Sequence, residues 1–249
     1  MNFNWGLPEA ASTFAGEIDW GISAIHWVML AMFVAWGAYM AFLLFRYKKR
    51  DGQKAAVPQG AEWHALGAGA LILVLEVGMI FFYDVPVWAK IRLDFPPDAT
   101  SNVVEITAEQ FAWNFQYPSE DGSFGRKDPK LIDSTNPIGL DPADPKGKDN
   151  VVTVNELHVP IGKPTVLYLT SKDVIHDFFV PIFRMKTDVV PGLRSQLWFE
   201  PTKVGKYEIG CAQLCGIGHS KMRADIIVQT PEDYKTWLAA QLKAKRDSE

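Results

Sequence analysis

Residues 22–45 read ISAIHWVMLAMFVAWGAYMAFLLF, with no acid and no base other than His26. About 20 consecutive apolar residues cross the hydrocarbon core of a bilayer as a helix, so this run removes most soluble folds from consideration for its part of the chain. A secretory signal peptide is the rival reading. It fits poorly, because Glu9, Glu17 and Asp19 precede the run where a basic n-region belongs, and the run is too long for an h-region. RYKKR follows at residues 46–50, a basic cluster of the kind retained on the cytoplasmic side, which orients the N-terminus outward.

A second apolar stretch, ALGAGALILVLEVGMIFFY at residues 65–83, returns the chain to the outside, with Trp63 and Trp88 placed as interfacial aromatics. Glu76 interrupts it. An intramembrane carboxylate faces a partner or a watery path, so Glu76 is a candidate proton relay as well as a protonated acid bonded to another helix. His26 reads as a neutral histidine at a helix contact. The chain beyond is more polar: 48% of residues are hydrophobic, yet the mean hydropathy is close to zero. A formal charge of -4 and the lack of basic runs interleaved with aromatics set nucleic acid aside as a partner.

After residue 92, short runs rich in Val, Ile, Thr and aromatics alternate with Pro, Gly and Asp, the signature of strands and turns. NVVEITA, QFAWNFQY, VVTVNEL, PTVLYLT, SQLWFE, KYEIGC and MRADIIV are the predicted strands, and so many at this spacing predict a sandwich or barrel. Residues 118–150 are too rich in Pro, Gly and charge for regular structure and read as an exposed excursion. Thr230, Pro231, Glu232 and Asp233 mark the start of a closing helix, and Lys243, Lys245 and Arg246 suit its end. The expected divisions are an outer segment (1–21), a two-span transmembrane hairpin (22–92), an all-β domain (93–229) and a C-terminal helix (230–249).

The two cysteines of the chain lie in CAQLCGIGHSKM, residues 211–222. In an oxidising compartment a disulfide between Cys211 and Cys215 is one reading. His219 and Met222 follow at short steps, and the resulting set of two thiolates, an imidazole and a thioether is soft, which favours copper. Zinc would accept the cysteines with His219 and His176 but has no use for a methionine. A thiol-disulfide redox pair belongs at a helix start in a βαβ context, whereas the flanks GKYEIG and MRADIIVQT are strand-like. Copper leads; zinc and a disulfide remain open.

QFAWNFQY, LHVPIGKPTVLYLTSKDVIHDFFVP, MKTDVVPG and CAQLCGIGHSKM, in that order, resemble subunit II of the haem-copper cytochrome c oxidases. The resemblance covers nearly the whole chain and implies a two-span hairpin followed by a cupredoxin-like Greek-key barrel. It also implies a binuclear copper centre, CuA, on His176, Cys211, Cys215, His219 and Met222, with the Gln213 carbonyl completing the set. Phe178, Phe179 and Ile217 would screen it from water.

Further expectations come from the same resemblance. Phe111 stands where the family's electron-accepting tryptophan stands, and Trp113 keeps the family's second tryptophan, with Phe115 and Tyr117 on the same face. Asp188 and Gln213 fall at the boundary with subunit I. There the family's glutamate helps bind magnesium, so a glutamine makes magnesium doubtful. Glu62 has no recognisable motif around it and takes no proton-uptake role. The partners implied are oxidase subunits I and III, with the haems in a partner subunit, a lipid membrane, and a donor: a c-type cytochrome, a small copper protein or a quinol-oxidising complex. No C-x-x-C-H occurs, so no covalently attached haem is expected on this chain. The implied location is the bacterial inner membrane with the C-terminal domain on the periplasmic face. A quinol-oxidase-type subunit II and a membrane-tethered copper chaperone are the alternatives.

Overall fold

The computed structural model describes residues 5–52, 54 and 60–248. The chain separates into two compact units, one built on Glu17–Leu93 and the other on Pro8–Gly16 together with the residues from Asp94 onward.

In the first unit, α1 (Ala15–Arg46) begins a full two turns before the apolar run, and α2 (Ala61–Met79) continues through a π-helical turn, Ile80–Asp84, into α3 (Val85–Arg92). Both long helices meet the length and hydropathy needed to cross a membrane, and neither buries its apolar window within the chain. Their side chains meet at one end: Lys90 Nζ lies 2.7 Å from the Glu17 carboxylate, the Tyr83 hydroxyl donates to the Glu17 carbonyl, and Trp20 packs on Tyr83 at 4.6 Å between centroids. His26 Nδ1 is 2.7 Å from the Ile22 carbonyl and its ring lies 4.6 Å from that of Trp5. Trp63 and Trp88 are both exposed.

The second unit is a β-sandwich of ten strands: β1 (Asn102–Glu109), β2 (Ala112–Tyr117), β3 (Val151–Val154), β4 (Glu156–Pro160), β5 (Thr165–Ser171), β6 (His176–Val180), β7 (Met185–Val189), β8 (Ser195–Phe199), β9 (Gly205–Cys211) and β10 (Arg223–Gln229). They form two five-stranded sheets, ordered β3-β2-β1-β5-β8 and β4-β10-β9-β6-β7, with β1/β5 and β10/β4 parallel and the other pairs antiparallel. The period-two pattern puts Val104, Ile106 and Ala108 of β1, and Ala224, Ile226 and Val228 of β10, into the core.

Two departures from the sequence-based reading have clear causes. VVTVNEL, expected as one strand, is two strands in different sheets. Asn155 breaks it with φ of 56°, a left-handed conformation that asparagine tolerates better than most residues. Its side-chain oxygen accepts from the Trp113 amide at 2.8 Å, and its own amide donates back to the Trp113 carbonyl at 2.8 Å, so the crossing point is pinned to β2. β6 and β7 carried no prediction, because IHDFFV and MKTDVV each mix charges into runs too short to show alternation.

Residues 118–150 form an ordered excursion. Asp121, Asp128, Asp133, Asp141 and Asp144 each accept from a backbone amide two residues on, the Asx-turn solution to a strand-free segment. Buried Asn150 gathers it, accepting from Gln116 Nε2 at 2.7 Å and Gly125 N at 2.8 Å. The closing helix α4 (Pro231–Ser248) is capped by Thr230, whose hydroxyl accepts from Asp233 N at 3.2 Å, and it docks on the sandwich by stacking Trp237 on His158 at 3.8 Å and 8°. The segment Pro8–Gly16 packs here too: Ser12 bridges Pro201, Phe14 meets Trp198 edge-on at 4.6 Å, and Ala11, Phe14 and Ala15 are buried.

Candidate metal site at the end of the second sheet

The β6–β9 pairing sets Phe178 opposite Cys211, so the first residue of β6 and the last of β9 come to the same end of the sheet. His176, the first residue of β6, is completely buried. Past Cys211 the chain turns through residues 212–218 into the single turn His219–Lys221 and re-enters the sheet as β10. Cys211 N donates to the Met222 carbonyl at 3.3 Å, which closes the neck of this loop.

Within that loop the soft donor atoms converge. Cys211 Sγ and Cys215 Sγ are 3.8 Å apart as free thiols, far beyond a disulfide bond of about 2.05 Å. His176 Nδ1 lies 3.9 Å from Cys211 Sγ, and His219 Nδ1 lies 3.6 Å from Cys215 Sγ. Met222 Sδ is 3.7 Å from Cys215 Sγ, and the Gln213 carbonyl is 3.1 Å from Cys211 Sγ. The ligand atoms of His176, Cys211 and Cys215 all lie within 4.8 Å of one another, a group that could hold a metal ion. Met222 and Cys215 are buried, while Cys211 and His219 are partly exposed.

Around these residues lies a hydrogen-bonded frame. Asp173 Oδ1 accepts from His176 Nε2 at 2.9 Å, which fixes the tautomer and turns Nδ1 toward the sulfurs. The same carboxylate accepts from Val174 N at 2.7 Å, Gln110 N at 2.7 Å and Ser171 Oγ at 3.2 Å. Burial alone would push the Asp173 carboxyl up; the bonds from His176, Gln110 and Val174 outweigh it and hold the group below the usual carboxylate range. Gln110 also donates from Nε2 to the Cys215 carbonyl at 2.6 Å, joining the histidine's support to the cysteine loop. Asp173 and Gln110 drew no attention in the sequence, since an aspartate three residues before a histidine carries no pattern of its own.

Burial first, and then the neighbouring Cys211, push the Cys215 thiol up to about 11, so without a metal Cys215 stays protonated near neutrality. Phe111 lies half-buried against the loop. A Cβ on Gly216 would sit 3.2 Å from its ring and one on Gly218 would collide with it, so the glycines let the aromatic ring lie flat on the backbone. Trp113 is fully buried, 6.0 Å from the His176 ring and 5.3 Å from Phe178 between centroids. Phe115 and Tyr117 are buried beyond it on β2; Phe178 is buried and Phe179 partly so. Ile217 is fully exposed rather than screening anything, because its side chain leaves the loop outward.

The remaining candidates lie apart from this cluster. Asp188 is exposed on β7, opposite Asp177 in the register. Glu76 and Glu62 are exposed on α2 of the other unit.

The model of the family described as cytochrome C oxidase subunit II, periplasmic domain, matches residues 102–230. The chain is 39% identical over 243 residues to the alternative cytochrome c oxidase subunit 2 of Bradyrhizobium diazoefficiens, covering 95% of this chain and 84% of the relative. It is 32% identical to cytochrome c oxidase subunit 2 of Thermostichus vulcanus, covering 93% and 77%. The solved periplasmic domain of subunit II of the Bradyrhizobium japonicum cytochrome oxidase is 28% identical, with a TM-score of 0.44 over 60% of this chain and 97% of that one. By the matched domain and the near full-length likeness together, the chain belongs to the cytochrome c oxidase subunit II family, as a subunit II of a haem-copper oxidase.

Proposed function

We propose that this chain is the electron-accepting subunit of a membrane terminal oxidase. A donor outside the membrane delivers electrons singly to a CuA centre on this chain, and they pass to haem in subunit I, where oxygen is reduced and protons are pumped. The observation that carries this reading is the convergence of His176, Cys211, Cys215, His219 and Met222 on one loop mouth. The donor set fits copper: two thiolates, two imidazole Nδ1 atoms, a thioether and a carbonyl are soft to borderline ligands. When bound, binuclear copper supplies reversible one-electron acceptance spread over both metals.

In this reading Cys211 and Cys215 would hold the copper pair together with His176, His219, Met222 and the Gln213 carbonyl, and the pair would supply one-electron acceptance. Asp173 holds the His176 ring in its ligating tautomer, and Gln110 fixes the Cys215 backbone, so the ligands need little movement between oxidation states. Trp113 walls the site beneath His176. The residues fit magnesium poorly. Gln213 offers a neutral amide where a hard cation wants a carboxylate.

We place the sandwich on the periplasmic face of a bacterial inner membrane, anchored by the hairpin of residues 22–92, with 93–229 as the cupredoxin-like domain and 230–249 as its closing helix. The packing of Pro8–Gly16 into the same compact unit as β1–β10 supports this topology. Both ends of the hairpin must then lie on one side, which an even number of crossings satisfies. The partners are subunits I and III and a donor of the c-type cytochrome, small copper protein or quinol-oxidising class. Retention of every side-chain ligand weighs against a quinol-oxidase-type subunit.

The test is metal analysis with electron paramagnetic resonance on the detergent-solubilised, copper-loaded chain. A pair of coppers sharing one unpaired electron is expected. One labile, spectroscopically silent cuprous ion would replace this reading with the copper-chaperone alternative.

A further inference from the structure

The two ends of the membrane hairpin carry their charge differently. At the outer end Lys90 is paired with Glu17 at 2.7 Å. At the other end, residues 46–54 hold five cations, Arg46, Lys48, Lys49, Arg50 and Lys54, against one carboxylate, Asp51. All five cations are exposed, and among the described residues none of them makes an ion pair. The chain as a whole has a formal charge of -4, so this local excess runs against its balance.

Helix electrostatics accounts for one of the five. Arg46 is the last residue of α1, where a cation suits the negative end of the helix dipole. Lys48, Lys49, Arg50 and Lys54 lie past the helix and have no such role. Retention on the cytoplasmic side accounts for the sign of the cluster, but not for what neutralises it once the helix is inserted.

The position of the cluster selects its partner. As a helix rising about 1.5 Å per residue, the apolar run 22–45 extends about 36 Å, slightly more than the roughly 30 Å of hydrocarbon in a bilayer. Arg46 and the residues just after it therefore fall in the headgroup layer. Leu44, Phe45 and Tyr47 are 68%, 80% and 71% exposed, and the Arg46 guanidinium lies 5.4 Å from the centre of the Tyr47 ring. Bare apolar side chains that lead directly into bare cations match a molecule that is apolar at one end and anionic at the other. An acidic protein face would meet the cations and leave Leu44 and Phe45 uncovered.

Resting on the membrane topology proposed above, we propose that residues 44–50 form a binding surface for anionic phospholipid of the cytoplasmic leaflet. The acyl chains lie against Leu44 and Phe45, and the phosphate is held by Arg46, Lys48, Lys49 and Arg50. The arginines grip phosphate through paired hydrogen bonds, while the lysines add point charge. Each cation beside an anionic surface raises the preference about fivefold. A zwitterionic headgroup gains little, because its own ammonium offsets its phosphate.

The experiment places the intact oxidase complex in lipid nanodiscs with a trace of photoreactive phospholipid. Two probes with the same photoreactive acyl chain are compared, one a phosphatidylglycerol and the other a phosphatidylcholine, and mass spectrometry reads the labelling of residues 44–50. The phosphatidylglycerol probe is expected to label this segment at least about fivefold more, with the ratio falling at least about threefold between about 20 and about 500 mM salt. Lys48→Gln combined with Lys49→Gln is expected to lower the ratio at least about fivefold, and Lys48→Arg combined with Lys49→Arg to preserve it. Lys235→Gln, which removes a cation from the exposed surface of α4, is expected to leave the ratio unchanged.

Equal labelling by the two probes, a ratio undiminished in the double glutamine variant, or a ratio that falls as far in Lys235→Gln overturns the lipid proposal while the topology stands. Absence of labelling by either probe does the same, since another subunit would then cover the segment. Cleavage after Lys48, Lys49 or Arg50 by trypsin added to intact spheroplasts overturns the topology itself, because it puts these residues on the outer side.

Discussion

Replacing Asp173 by asparagine tests the frame of the site without touching a sulfur or an imidazole. The carboxylate satisfies four donors, from His176, Val174, Ser171 and Gln110. Asparagine has one oxygen. If that oxygen stays with His176 and Val174, its NH2 group faces the Gln110 amide, donor against donor, and the link to the Cys215 loop slackens. A charge-assisted hydrogen bond contributes about 1.5–3 kcal/mol, and removing a partner that orients a ligating histidine lowers metal affinity about 10–100-fold, equivalent to about 1.4–2.7 kcal/mol. The two routes agree. Asp173→Asn should therefore bind copper about 10–100-fold more weakly, with Asp173→Ala at or beyond the upper end because it abandons all four donors. A competition titration against a cuprous chelator gives the affinity, and the paramagnetic resonance spectrum of the bound form gives the environment of His176. If Asp173→Asn holds copper within about threefold of the parent with an unchanged spectrum, the carboxylate does not organise the site through its bond to His176.

Cys215→Ser should abolish the two-copper signal, whereas Met222→Leu should retain copper with a shifted reduction potential, read by redox titration. Copper uptake by the metal-free chain should strengthen with pH, because the Cys215 thiol, raised to about 11, must lose its proton to ligate. Below that value each rise of one pH unit should increase the measured affinity about tenfold per proton released, and a pH-independent affinity across pH 6–9 would refute it. Phe14→Ala should destabilise the sandwich by about 3–5 kcal/mol, since the ring is buried and packs on Trp198; thermal unfolding of a sandwich with and without residues 8–16 checks it.

How much of this was legible in the sequence depends on the range of the interactions involved. The membrane helices follow from composition along a continuous run, and seven strand signals follow from local alternation. What local pattern cannot show is where a strand changes sheet. VVTVNEL looks uniform because its break depends on the φ of Asn155, and that conformation is held by two hydrogen bonds to Trp113, a residue far away in the chain. The same limit applies to the site. Cys211, Cys215, His219 and Met222 share one loop, so their spacing is visible in the sequence, while His176 entered with the family resemblance and with its place among possible zinc ligands. Asp173 and Gln110 acquire their roles only when β1, β6 and the 211–222 loop meet at one end of the sandwich. Donor atoms can be recognised by their chemistry, but the groups that aim them are defined by direction, and direction exists only after folding. The Pro8–Gly16 segment makes the same point for stability: nothing in its composition announces that Phe14 fills the core of a domain that begins some eighty residues later. A soluble version cut just past the second span would therefore lack part of its own core, and weak copper retention in such a fragment would report the missing segment before it reported on the ligands.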